Sequence, residues 1–366
     1  MSATILSRVP PTLARPTAAS GTKKRQPTND WLAIVRAEVN ALLEEFFSKK
    51  HREVMDVSPP TVELVSEIAA LTMRGGKRLR PAVAAAGYRC IRPGHGMERV
   101  VELGAALELL QSYLLIHDDW MDDDDERRGG KAVHKSLRDR HENGHLGDAL
   151  GILAGDLAST YAWELFLEAP YPVRAWADAQ RAFLDIQKQV YCGQQLDLTG
   201  DADVSRMHGL KTTSYSVRGP VVLGALLGDP SEDQLHALAA WAGPIGEAFQ
   251  IRDDLLGTLG SAADTGKPGL DLVHGKLGSV IAELRRSTEP AERSRVEAVF
   301  GNSDASAGEL AAAQMCLHET GIVQRLEQRI ETLRADAAGH LANDLFNPQG
   351  REMLTELSDK LTVRRA

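Results

Sequence analysis

The nine positions from Asp118 to Glu126 hold seven carboxylates, and they follow Leu114-Leu115-Ile116 with no turn signal between. On an unbroken α-helix Asp118, Asp122 and Asp125 stand at i, i+4 and i+7 and form one stripe, with Gln111 two turns earlier on the same face. Like charges at i, i+4 destabilise a helix by roughly 0.2–0.5 kcal/mol per pair in water, and by more once solvent is excluded. A chain that runs an apolar helix straight into such a stripe needs a cation to neutralise it. A solvated acidic run, the usual meaning of a charge cluster, does not account for the missing break. An EF-hand calcium loop is excluded, because the stretch lacks the Gly required at the sixth position.

Hard oxygen donors on a rigid helix suit Mg²⁺, which keeps several waters and typically joins one or two carboxylates to a phosphate group. That chemistry implies a diphosphate ligand, which needs cations of its own. Arg127-Arg128 follow the stripe at once, Gly75-Gly76-Lys77-Arg78-Leu79-Arg80-Pro81 lies upstream, and Lys211, Lys267 and Lys276 lie downstream. A second aspartate pair, Asp253-Asp254, ends another apolar segment.

Helices must position these groups. From Asp30 onward apolar residues recur every three or four positions, and Pro or Gly punctuates them at Pro59-Pro60, Pro93-Gly94, Gly129-Gly130, Pro170, Gly228-Asp229-Pro230 and Pro268-Gly269. Strand-like alternation is absent. Val100, Leu103, Leu107, Leu110 and Leu114 mark a helix whose other faces carry Ala105, Ala106, Leu109 and Leu115, so it belongs at the centre of a core. A second such helix runs from about Ala240 through Trp241, Ile245 and Phe249 to Asp253-Asp254. No linker rich in Gly and Ser divides the chain, so residues 30–366 read as one all-α domain. Residues 1–29 carry Arg8, Arg15, Lys23, Lys24 and Arg25 and no acid, and read as a disordered tail; an organellar transit peptide shares that composition.

Composition narrows the partners. A net charge of -9 argues against a nucleic-acid binder, which normally presents a basic face. Cys90, Cys192 and Cys316 are odd in number and far apart, so they indicate neither a disulfide framework nor a thiolate zinc site, and a reducing cytoplasm fits. No apolar run approaches the ~18 residues of a membrane span. His141-Glu142-Asn143-Gly144-His145 matches the HExxH zinc pattern, with Glu164 or Glu168 as a third ligand, but Asn143-Gly144 is a turn signal where that pattern needs an unbroken helix.

Seven segments, in order, resemble the motifs of the trans-isoprenyl diphosphate synthase family: GGKRLRP at 75–81, LIHDDWMD at 115–122, RRG at 127–129, GQQLDL at 193–198, KTTSYSV at 211–217, FQIRDD at 249–254 and TGKP at 265–268. The resemblance covers nearly the whole chain after about Trp31. It implies a single large helical bundle around a central cavity, the isoprenoid synthase type I fold, with the aspartate motifs on facing helix ends and a homodimeric assembly. It implies Mg²⁺, three ions with substrate bound, held by Asp118, Asp122 and Asp253. An allylic diphosphate then meets Arg127, Lys211, Thr212, Gln250, Lys267 and Lys276. Isopentenyl diphosphate meets Lys77, Arg80, Arg128 and Gln111, the last standing where many relatives have His. The implied reaction joins the two substrates head to tail into a short-chain all-trans prenyl diphosphate, with Asp118, Asp122, Asp253 and Lys211 as its catalytic groups. Tyr113, five residues before Asp118, resembles the bulky side chain that stops growth at the geranylgeranyl length, favoured here, or the farnesyl length.

Two positions depart from the family's pattern. Gly257 stands where a further carboxylate is often found, and Leu277-Gly278 replaces a basic residue and a Thr, removing a cation and a hydroxyl from the segment that closes over the allylic diphosphate. A class I terpene cyclase shares the fold and first aspartate motif but has no use for a second diphosphate site. A non-catalytic partner subunit is the other alternative; such subunits tend to lose an aspartate motif, whereas both pairs are present here. His117 reads as a packed histidine or a support of the neighbouring aspartates, Trp120 as a packing residue, and Gln194 and Asp197 as supports of the metal-binding groups.

Overall fold

Apolar spacings of three and four do set helices along the chain. The computed structural model describes residues 31–94, 97–200, 203–260, 270–342 and 344–363. Its first half holds α1 (Trp31–Val57), α2 (Val62–Met73), α3 (Leu79–Ile91) and α4 (Val101–Met121), then a hairpin of two-residue strands, β1 (Glu126–Arg127) and β2 (Gly130–Lys131). There follow α5 (Val133–His141), α6 (Gly144–Glu168), α7 (Trp176–Thr199), α8 (Val204–His208), a π-helix (Gly209–Arg218), α9 (Gly219–Leu227) and α10 (Glu232–Leu259). The C-terminal part holds α11 (Ser279–Ser287), α12 (Pro290–Val299), α13 (Ala307–Glu319), α14 (Ile322–Leu341) and α15 (Pro348–Thr362). Residues 32–366 make one compact unit, and the basic stretch 1–29 lies outside the described residues. Among the described residues the β1–β2 hairpin is the only sheet, a small exception to the all-helical expectation.

The helix read as central is α4. Leu103, Leu107, Leu109, Leu110 and Ile116 are buried around its whole circumference, and it packs chiefly against α6. Burying each such side chain stabilises the fold by roughly 1.5–3 kcal/mol. By length and composition the stretch Met97–Met121, whose most apolar 18-residue window has a mean hydropathy of 1.3, is also apolar enough to cross a membrane. Glu102, Glu108 and Gln111 break its apolar runs, so no unbroken span of that length stands in the sequence. The protein itself covers 72% of its most apolar window, as it does for a core helix.

The other aspartate-bearing helix, α10, starts with a capping box in which Ser231 N donates to Gln234 Oε1 (2.9 Å) and Gln234 N donates to Ser231 Oγ (3.2 Å). It buries Trp241, Ile245 and Ala248 and packs against α14 on one side and the π-helix on another. The π-helix also lies against α7, where a Cβ on Gly193 would overlap the Lys211 backbone nitrogen. Wide π turns are frequent at functional sites, and here the wide turn presents Lys211 and Thr212.

The HExxH segment does not form one helix. α5 ends at His141, Glu142 takes a left-handed φ of 48°, and the Asn143 side chain caps α6 by accepting from Leu146 N at 3.1 Å. His141 Nε2 lies 3.0 Å from Glu63, so the two histidines sit on different helices and share no ligand face.

Candidate active site

The C-terminal ends of α4 and α10 open into one cavity of about 810 Å³. Asp118 and Asp122 line it from α4, Gln250 and Asp253 from α10, Lys211 and Thr212 from the π-helix, Arg127 from β1, and Lys276 from the segment 270–278. Lys267 lies outside the described residues. The predicted stripe is shorter than its spacing suggested. α4 stops at Met121, Asp122 is its C-cap, and Asp123 turns to a φ of 54°, which takes Asp125 off the helix. A third carboxylate in register would have extended the repulsion by another turn, and the chain instead breaks there.

Charges in the cavity are interlocked. Lys211 Nζ lies 2.5 Å from Asp197 Oδ2 and 3.1 Å from Asp118 Oδ1. Burial pulls the pKa of this ammonium down, but the carboxylates of Asp118 and Asp197 more than offset that and hold it above the ordinary lysine range. Burial raises the Asp122 carboxyl, and neighbouring Asp118 raises it further. Asp119, fully buried beside Arg127, is pushed up by burial to about 6 against the pull of that guanidinium. Arg127 Nε donates to Asp119 Oδ1 at 2.6 Å, and its Nη2 lies 3.1 Å from Asp124 Oδ2 and 3.9 Å from Asp118 Oδ2. Arg127 therefore braces the acidic loop as well as facing the cavity. Asp197 pairs with Lys211 and lines the cavity beside it.

The donor set fits Mg²⁺. Asp118 Oδ1 is buried and accepts no aligned hydrogen bond, although Lys211 lies beside it. Among the described residues no three Asp, Glu, His or Cys side chains converge on one point. An ion here would take one or two carboxylates and complete its shell with water and phosphate oxygens, which is the Mg²⁺ habit.

Asp254, the second residue of its pair, does a different job. Gln250 Nε2 donates to Asp254 Oδ1 (2.8 Å) and Ser279 N donates to Oδ2 (2.6 Å), so this carboxylate caps α11 from a neighbouring helix. A Cβ on Gly278 would stand 2.9 Å from that carboxylate. The Leu277-Gly278 departure thus makes room for a cap and fastens the segment after Lys276 to α10. Asp254→Ala is expected to cost about 1 kcal/mol, read as a lowered denaturation midpoint, and Gly278→Ala to weaken the same bond.

A second cationic cluster surrounds the turn before α3. Arg78, at a φ of 50° and 3% exposed, donates to Asn40 Oδ1 (2.8 Å), Thr72 O (2.9 Å) and Glu108 Oε2 (2.5 Å). The turn leaves Lys77 exposed. Arg80 lies over the Tyr215 ring at 4.3 Å and donates to Ser216 Oγ at 2.7 Å. Burial, together with Arg78, Arg80 and Arg127, depresses the Arg128 pKa despite Glu108. Cations crowded to that degree invite an anion. Gln111, half-buried one turn past Glu108, lines neither the aspartate cavity nor the pocket beneath it.

That pocket, about 120 Å³, lies under Asp118 and Lys211 and is walled by Tyr113, Leu114, Met121, Val190, Tyr191 and Tyr215. The Tyr113 hydroxyl donates to the Tyr191 hydroxyl at 2.8 Å, joining α4 to α7 at the pocket wall. His117 packs edge-on to Tyr113 at 5.0 Å, with Nε2 3.1 Å from Ile152 O, in keeping with a packing role. The sequence reading missed Tyr191, although it stands one turn before Gln194 on α7.

The polyprenyl synthetase family model matches residues 62–317. The short chain isoprenyl diphosphate synthase of Methanocaldococcus jannaschii is 29% identical over 308 residues, 80% of this chain and 87% of that one. The geranylgeranyl diphosphate synthase of Methanosarcina mazei is 32% identical over 277 residues, 74% of this chain and 80% of that one. The crystal structure of geranylgeranyl pyrophosphate synthase from Corynebacterium glutamicum, complexed with isoprenyl diphosphate and magnesium, matches with a TM-score of 0.82 at 30% identity, covering 91% of this chain and 98% of that one. Together the fold and these relatives define an all-α prenyltransferase. The chain belongs to the polyprenyl synthetase family.

Proposed function

We infer that this chain condenses isopentenyl diphosphate head to tail with an allylic diphosphate to give a short-chain all-trans prenyl diphosphate, geranylgeranyl before farnesyl. One observation carries the reading: Asp118, Asp122 and Asp253 share a cavity with Lys211 and Lys276, directly above an apolar pocket. Asp118, Asp122 and Asp253 would hold Mg²⁺, three ions with substrate bound, which would supply positive charge to the allylic diphosphate. Lys211, Arg127, Lys276, Thr212 and Gln250 bind the same group and stabilise the negative charge it gains as the allylic C–O bond breaks. Lys267 takes the same part by its motif. Lys77, Arg80 and Arg128, with Gln111 nearby on α4, hold isopentenyl diphosphate so that its double bond meets the allylic carbon, and this orientation supplies much of the rate. The second cationic cluster favours a synthase over a terpene cyclase, and the intact carboxylates at both helix ends favour it over a non-catalytic partner subunit.

Incubating the purified protein with Mg²⁺, isopentenyl diphosphate and each allylic primer, then sizing the products, tests the reading. Geranylgeranyl diphosphate is the expected main product; cyclic hydrocarbon, or no product without a second polypeptide, would replace it with one of the alternatives. Product length is assigned to the Tyr113–Tyr191 contact. Tyr113→Ala is expected to lengthen the product by one or more isoprene units, measured by mass spectrometry, and an unchanged length would remove Tyr113 from the pocket floor.

The reading includes a cytoplasmic homodimer. Free thiols at Cys90, Cys192 and Cys316 support the compartment. Exposed Leu146, Leu153 and Leu167, spaced by multiples of seven on α6, support an apolar contact between two copies.

A further inference from the structure

Gly257 stands one turn past Asp253 on α10, so the two share a face. A Cβ at Gly257 would overlap Asp271 Oδ2 and lie 2.7 Å from its Cγ. The volume that any side chain at 257 would fill is thus already taken, and by a carboxylate. Backbone bonds hold it there: Asp271 N donates to Gly257 O at 3.2 Å, and Lys276 N donates to Asp271 O at 3.0 Å. Asp271 lines the same cavity as Asp118, Asp122 and Asp253. Asp254, meanwhile, is committed to capping α11.

We propose that Asp271 supplies, from the segment 270–278, the carboxylate that Gly257 omits from α10, so that Asp253 and Asp271 together form the metal-binding wall opposite Asp118. The assignment rests on the proposed function and deepens it. The missing residue of the second aspartate motif is provided from a different place in the chain. Its oxygen lies over the helix face where a side chain at i+4 from Asp253 would project. Because Asp271 and Lys276 are tied by a backbone hydrogen bond, metal and diphosphate binding draw on one segment.

The test uses the full-length protein, Mn²⁺ as probe ion and inorganic pyrophosphate as probe anion, with bound metal counted by electron paramagnetic resonance and affinity measured by calorimetry. The wild type is expected to bind Mn²⁺ when pyrophosphate is present. Asp271→Asn, which keeps the shape and removes the charge, is expected to bind it about 10- to 100-fold more weakly. The exchange variant Gly257→Asp/Asp271→Gly, which returns the carboxylate to the helix, is expected to regain most of that loss. Wild-type affinity and stoichiometry in Asp271→Asn overturn the proposal. A loss that the exchange variant does not regain also overturns it, because Asp271 would then only fasten the segment. A wild type that takes up no Mn²⁺ with pyrophosphate fails at the earlier step and sinks the proposed function, and this assignment with it.

Discussion

Asp118→Ala is expected to lower kcat by about 10²- to 10³-fold while leaving the helices folded. Asp118 stands at the junction of both charge networks, between Lys211 on one side and Arg127 on the other. Its Oδ1 is buried beside Lys211 and accepts no aligned hydrogen bond. Removing it deletes a carboxylate proposed to hold metal, and it also leaves Lys211 paired with Asp197 alone of its two carboxylates. The fold loses little, because the deletion also relieves Asp122, whose carboxyl Asp118 helps to push up. Steady-state kinetics beside a thermal melt separates the two effects. A loss of about tenfold or less would mean that the cations hold the diphosphate without this carboxylate.

Arg78→Ala is expected to cost about 3–5 kcal/mol of stability, read as a large drop in the denaturant midpoint. The Arg78 and Glu108 side chains are 2% and 3% exposed, so the alanine variant strands a carboxylate in the core. The same guanidinium ties α1 through Asn40 and the end of α2 through Thr72 O. The turn that presents Lys77 and Arg80 would lose its frame, and KM for isopentenyl diphosphate should rise more than KM for the allylic substrate. Arg78→Lys keeps the charge but not the planar fork, and should fall between. A cost below about 1 kcal/mol would show that Arg128, which already feels Glu108, can replace Arg78.

The helices were legible because periodicity is a local property. Leu103, Leu107 and Leu110 announce α4 without reference to anything else in the chain. The aspartate stripe was legible only to Asp122, since the charge that makes it visible also ends the helix. Residues of the cavity could be named in advance where a motif carried them, as with Lys211 and Gln250. Asp271 and Tyr191 could not, for their parts depend on which helix or segment lies opposite. Gly257 and Gly278 looked like losses in a linear reading. In three dimensions each clears space for a carboxylate, Asp271 at one and Asp254 at the other. The wide turn under Lys211 has no signature in the pattern of apolar residues, and Arg78 looked like one more cation in a basic run.

A crystal structure with Mg²⁺ and an unreactive thio analogue of the allylic diphosphate tests the central claim most directly. The account predicts one diphosphate bridged by metal to Asp118 and Asp122 on one wall and to Asp253 on the other, with the hydrocarbon tail pointing toward Tyr113. Diphosphate bound to the cations alone, with those carboxylates facing solvent and no metal between the walls, would contradict it.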